Sequence, residues 1–247
     1  MNKRSMPFNN QIFRNKVVCI HQPDFFPWMG VFDKIIRSDA FVILDHVQFP
    51  KGGGAYCNRV KLLVGGGEHW VTAPIIRNYQ GFRAINEMEF QSAIPWREKI
   101  LKTISYNYCR APFFKETLEI IESLIANPEN NVALYNANAV LAIADLLSIS
   151  KEKFYWSSQL PHVGSATKLL ISLTRAVNGG TYMCGSGAVG YQEDAAFAAT
   201  GIGLVYQNFQ HPVYPQIGAK EFVPGLSVID ALMNIGVAGV RAALHIA

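Results

Sequence analysis

No stretch of the 247-residue chain approaches the roughly 20 consecutive apolar residues that a membrane-spanning helix needs, and the N-terminus lacks the apolar segment of a secretory signal. The expectation is a soluble, cytoplasmic protein that meets no membrane. Charge is scarce as well: 16% of residues are charged, against 50% hydrophobic and 12% aromatic. That balance excludes an extended disordered regulator and provides for a large core. A distributed basic face is also missing. Residues 1–16 form a basic tail carrying Lys3, Arg4, Arg14 and Lys16 and no acid; without those four, 18 basic residues face 18 acidic ones. A neutral body with a short basic tail argues against nucleic acid as a partner. The cysteines at 19, 57, 109 and 184 lack C-x-x-C spacing, so reduced thiols are expected rather than a disulfide framework or a zinc site. There is no Walker loop and no G-x-S-x-G elbow.

What the chain does have is an alternation of buried strands and helices. Val17–Ile20 is a continuous apolar run, residues 28–38 have helical spacing at Val31, Phe32, Ile35 and Ile36, and residues 40–44 are apolar again. Strand, helix and strand in so short a span make a βαβ unit, and continuous apolar strands suit a parallel sheet covered on both faces. Residues 59–64 and 68–74, joined by Gly65-Gly66-Gly67, read as a hairpin, and residues 82–90 as a further strand. A helical insertion covers about 95–150. Strands at 153–156, 181–184 and 203–208 then alternate with helices at 165–177 and 191–200, Ser165 serving as an N-cap, and a helix at 227–235 closes the chain. The expected fold is α/β, a Rossmann-like, mostly parallel but mixed sheet with a β-hairpin and a helical insertion, in one domain spanning 17–247.

Both strands of a right-handed βαβ unit end at one edge of the sheet, where open α/β sheets bind ligands. His21 follows the first strand and Asp45 the second. The segment from His21 to Gly30, HQPDFFPWMG, joins polar side chains to prolines that fix the backbone and to aromatics, Phe25, Phe26 and Trp28, able to wall a pocket. A second cluster, Asp45 to Lys51 with Asn58 and Arg59, adds a carboxylate, an imidazole and two cations. These residue types suit His21 as a general base oriented by Asp45, with Lys51 and Arg59 holding an anionic donor. Gly185-Ser186-Gly187-Ala188-Val189-Gly190 matches G-x-G-x-x-G between a strand and a helix, yet the following strand ends in Tyr206-Gln207-Asn208 and offers no acid for a ribose hydroxyl. An anion other than a dinucleotide is therefore expected on Gly185, Ser186 and Gly187. In the C-terminal part, Tyr214 and Gln216 are expected at the binding edge and Asp230 as a helix cap, so that Gln216→Ala costs binding and Asp230→Ala costs stability.

The segment from Ile20 to Lys51, IHQPDFFPWMGVFDKIIRSDAFVILDHVQFPK, resembles the opening of the WbqC-like protein family, and Asn58-Arg59, residues 70–74, 179–191, 214–216 and 222–236 agree with it in order. The resemblance implies a bacterial cytoplasmic protein of surface-polysaccharide or specialised-metabolite biosynthesis, a transferase acting on a sugar or aminoacyl substrate. It implies functional weight at His21, Gln22, Trp28, Asp45, Gln48, Lys51, Asn58, Arg59, Gly185, Tyr214 and Gln216. His46 stands where the family usually has a second Asp and Cys184 where it has Ser, so neither a dicarboxylate metal site nor a thiol mechanism is expected. The sequence specifies no cofactor. The leading expectation is transfer of an acyl, aminoacyl or related group from a small anionic or activated donor. The alternatives are nucleotidyl transfer and a non-catalytic accessory role in a biosynthetic complex.

Overall fold

The structure, a computed structural model, describes residues 16–50, 56–185 and 194–246. Five strands build a wholly parallel sheet: β1 (Val17–His21), β2 (Ala40–Ile43), β5 (Phe154–Trp156), β6 (Thr181–Cys184) and β7 (Gly203–Tyr206), in the order β5-β2-β1-β6-β7. Alternate residues of β1 enter different cores, as the pleat requires. Val18 and Ile20 pack with Leu169, Leu173 and Phe197, from α5 (Ala166–Ala176) and α6 (Asp194–Ala199). Cys19 faces the other core, with Phe32 and Ile35 of α1 (Met29–Arg37). Helices therefore cover both faces, which is why these strands read as unbroken apolar runs.

The chain runs from β1 through α1 to β2, continues outward to β5, and then returns past β1 to lay down β6 and β7 on the other side. The direction reverses between β1 and β6. Crevices of doubly wound sheets open at such a switch point, beyond the carboxyl ends of the strands.

The hairpin β3 (Arg59–Val64) and β4 (Gly67–Thr72) forms a separate two-stranded sheet, so the expected mixing of directions within one sheet does not occur. Its register pairs Val64 with Gly67, leaving a two-residue turn in which Gly65 and Gly66 both take positive φ, the conformation a tight hairpin turn needs. Residues 82–90 contain a 3₁₀ turn at Ile85–Glu87 with isolated bridges at Ala84 and Phe90, in place of the expected strand. The helical insertion comprises α2 (Trp96–Tyr108), α3 (Phe114–Ile125) and α4 (Val132–Leu146). Ser165 precedes α5, but its side chain makes no capping bond. The last helix, α7 (Val228–Ala243), runs well past the expected end because Gly236, at φ 65°, lets it kink and resume against Phe113. No helix among the described residues is long and apolar enough to cross a membrane.

Candidate active site

The loop from Gln22 to Trp28 leaves β1 and enters α1, and four bonds from distant parts of the chain fix it. Phe25 N donates to Tyr56 O at 2.8 Å, Asn136 Nδ2 of α4 to Pro23 O at 2.8 Å, Ser227 Oγ to Phe26 O at 2.6 Å and Val228 N to Pro27 O at 2.9 Å. Phe26 is held at φ 43°, a left-handed conformation that a non-glycine residue adopts only when its surroundings impose it. Phe25 and Phe26 turn inward and pack with Phe90, Trp96 and Tyr135, so they close the core rather than wall a pocket. Trp28 stays at the surface of the site. Its indole lies back over Gly30, where any Cβ would meet the ring at 2.4 Å.

Two cavities meet on this loop. One, of about 700 Å³, lies at the switch point and is lined by His21, Gln22, Lys34, Tyr182, Cys184, Gly185, Gln207 and Phe209 among others. The other, of about 410 Å³, opens towards Lys61 of β3 and Gly225. His21, Asp24, Trp28 and Tyr56 line both. A larger cavity, about 1430 Å³, lies between the hairpin and α2, and its basic residues, His69, Lys102 and Arg110, are all exposed. Buried titratable groups, rather than volume, single out the cavities on the loop as the candidate site.

His21 Nδ1 lies 3.0 Å from Gln22 O. A carbonyl only accepts, so this bond places the proton on Nδ1 and leaves the lone pair on Nε2. Burial, and then the charge of Lys34, pushes the ring's pKa down to about 3, so His21 is neutral at pH 7. Asp24 Oδ2 stands 3.8 Å from the same Nδ1, and its carboxyl makes no hydrogen bond among the described residues. Asp24 is 6% exposed, and burial pushes its pKa up to about 7, opposed by Lys34. Lys34, 9% exposed on the packed face of α1, has neither a hydrogen bond nor an ion pair among the described residues. Burial lowers its pKa against the fields of Cys19, Asp24, Cys184 and Asp33. One imidazole, with Nδ1 bonded and Nε2 open, thus shares a cavity wall with a carboxyl and an ammonium that make no hydrogen bond among the described residues.

The other expected site residues divide. Gln22 and Gly185 line the switch-point cavity. Arg59 stacks over Trp70 at 4.2 Å and borders a narrow cleft beside Asp24 and Trp28. Asp45 does not orient His21: its carboxylate accepts from Ser157 Oγ at 2.8 Å, Ser158 N at 2.9 Å, Ser158 Oγ at 2.6 Å and Asn86 Nδ2 at 3.1 Å. The loop after β2 closes on the end of β5, its neighbour in the sheet, and the carboxylate is consumed there. Asn58 is buried and donates to Ala73 O, and Gln48 is exposed and bridged to Ala84. Tyr214 and Gln216 are not at the binding edge. Tyr214 Oη donates to Asp230 Oδ2 at 2.8 Å and Gln216 Nε2 to the same oxygen at 2.9 Å, while Tyr108 Oη donates to Oδ1 at 2.9 Å. Asp230 is fully buried as the centre of this network, and Ser227 supplies the cap of α7 by accepting from Ile229 N, which corrects the capping role expected of Asp230. Lys51, Ser186 and Gly187 lie outside the described residues.

Asp24, Lys34 and Gln207 join the site without having been singled out for it. Lys34 carried a signal: three residues after Val31 and one before Ile35, it lies on the apolar stripe of α1, where a lysine is out of place. Gln207 is fixed by donating to Gly30 O at 2.6 Å and Asp33 Oδ2 at 2.7 Å.

Among proteins of known sequence, the chain resembles an uncharacterized protein of Mycobacterium tuberculosis, Rv1507c, with 26% identity over 224 residues, covering 90% of this chain and 94% of that one. No solved structure matches it. The family model described as the WbqC-like protein family matches residues 22–242, from the loop that carries the cavities to the last turns of α7, and the chain belongs to that family.

Proposed function

We propose that this protein is a group transferase of bacterial surface-polysaccharide or specialised-metabolite biosynthesis, moving an acyl, aminoacyl or related group between two small molecules. The observation that carries this function is the pair of cavities meeting on His21 and Asp24. A donor in the larger cavity and an acceptor in the smaller one bring their reacting ends to the same two side chains. Environments that drive two titratable groups apart assign the base and the acid. His21, held neutral with its lone pair on Nε2, accepts the proton of the acceptor's hydroxyl or amine as that atom bonds to the donor's electrophilic carbon. Asp24, held protonated up to about pH 7, gives its proton to the leaving group as the latter departs with the bonding electron pair. Solvent then returns a proton from His21 to Asp24.

The test is a turnover screen of the full chain with acyl thioesters, aminoacyl esters and nucleotide sugars, each offered with amine and hydroxyl acceptors. His21→Ala and Asp24→Asn are expected to lower transfer about 10²- to 10⁴-fold without lowering the melting temperature. Undiminished transfer by His21→Ala overturns the assignment, as does a thermal shift given by NAD and by none of the donors.

A further inference from the structure

We infer that the switch-point cavity takes a phosphorylated ligand and that Lys34 holds its phosphate. The inference deepens the transfer function by naming the chemical class of the donor, and it rests on that use of the cavity. Lys34 begins among Val31, Phe32 and Ile35 on the packed face of α1, and its side chain reaches across to the end of β6. There its Nζ lies 2.9 Å from the position that a Cβ on Gly185 would occupy. A side chain at position 185 would displace the ammonium from that place. The space beside it, against the Gly185 backbone, stays open to a ligand.

Among the described residues the ammonium has no hydrogen bond and no ion pair. Among the described residues the buried carboxylates of Asp45 and Asp230 are saturated by donors, and Lys153 gives its ammonium to Ile35 O at 2.8 Å. The nearest claims on Lys34 are fields rather than bonds. Asp33 is engaged by Arg37 and by Gln207, the thiols of Cys19 and Cys184 are buried with pKa values pushed up, and Asp24 is a carboxyl whose pKa burial raises to about 7. Below that pH Asp24 offers an anion a proton to share rather than a repelling charge. A buried charge that the fold does not satisfy destabilises the empty protein and is retained where a ligand completes it. A lone ammonium is a compact point charge of the kind that binds phosphate; planar carboxylates are the usual ligands of arginine's fork. The cavity volume of about 700 Å³, with Trp28, Tyr182 and Phe209 beside the amides of Gln22 and Gln207, accommodates the remainder of a nucleotide-sized molecule.

Calorimetric titration and thermal shift of the full chain with inorganic pyrophosphate, ADP and citrate test this. The wild type is expected to bind pyrophosphate and ADP more tightly than citrate, with affinity falling as salt rises. Lys34→Met is expected to weaken phosphate binding about tenfold or more and to leave the ligand-free melting temperature unchanged or higher, since it removes an unsatisfied buried charge. Gly185→Ala, which crowds the ammonium without demanding a positive φ, is expected to weaken binding as well. The inference is overturned if the wild type binds neither phosphate, if citrate binds more tightly than both, if Lys34→Met binds as the wild type does, or if that variant melts several degrees lower without ligand. His21→Ala separates the two hypotheses. Phosphate binding that survives in it, with no transfer found in any donor screen of the wild type, upholds the inference and removes the transferase. His21-dependent transfer from a donor without phosphate, with no binding of pyrophosphate or ADP, does the reverse.

Discussion

Asp24 and Asp230 are both buried carboxyl groups, and they differ in everything around them. Asp230 receives Tyr108 and Asn234 on one oxygen and Tyr214 and Gln216 on the other. Asp24 receives no hydrogen bond among the described residues and faces two cavities. A carboxylate whose acceptors are filled by the protein joins α2, the residue 214–216 loop and α7 into one piece. A carboxyl whose acceptors are empty costs the fold stability and is available to something from outside. Satisfaction, rather than burial or proximity to a strand end, separates the structural acid from the chemical one.

Asp230→Ala strands several buried donors at once and is expected to lower the unfolding free energy by about 3–5 kcal/mol in urea denaturation; a change within about 1 kcal/mol removes the distinction. Gln216→Ala withdraws one donor to Asp230 and the clasp that Gln216 makes with Val223, for an expected loss of about 1–3 kcal/mol by the same measurement. In the proposed transfer Asp24 acts as the acid, so kcat/KM is expected to fall about tenfold per pH unit above about pH 7, and that limb is expected to vanish in Asp24→Asn. The smallest effect concerns stability. The Asp24 pKa rises from 3.8 in the unfolded chain to about 7 in the fold, so between those values the folded state holds a proton that the unfolded state has released, and stability falls as pH rises. Asp24→Asn, which cannot ionise, is expected to match the wild type below pH 4 and to exceed it by about 1 kcal/mol at pH 8, a modest gain because the carboxyl borders open cavities. A variant less stable than wild type at pH 8 shows Asp24 to be a structural acid after all.

Much of the fold is legible in local pattern. The apolar runs at β1, β2 and β6 and the glycine turn of the hairpin lie within a residue or two of their expected bounds, and three helices fill the expected insertion, because each is decided by its own few residues. The C-terminal loop and Asp45 misled because their partners are remote in sequence. Ser157 and Ser158 meet Asp45 only because β5 lies beside β2, and Asp230 meets Tyr108 only because α7 packs near α2. Proximity to a strand end locates an edge of the sheet but cannot say which carboxylates on that edge are already bonded. His21 needs no distant partner for its placement: the end of its own strand puts it on the cavity wall. Lys34 announced itself only by occupying an apolar position of its helix, a signal that burial in three dimensions turns into meaning.

Ser227 closes its bond with Phe26 across 201 positions of chain, and Val228 does the same with Pro27. The wall of the crevice is thus fastened by residues about two hundred positions further along the chain than the loop they hold. A ribosome reaches α7 long after β1 and α1 have emerged, so until residues 227 and 228 follow, the loop has only the bonds from Tyr56 and Asn136 available to it. The crevice wall takes its full set of fastenings only once the start of α7 has emerged and docked.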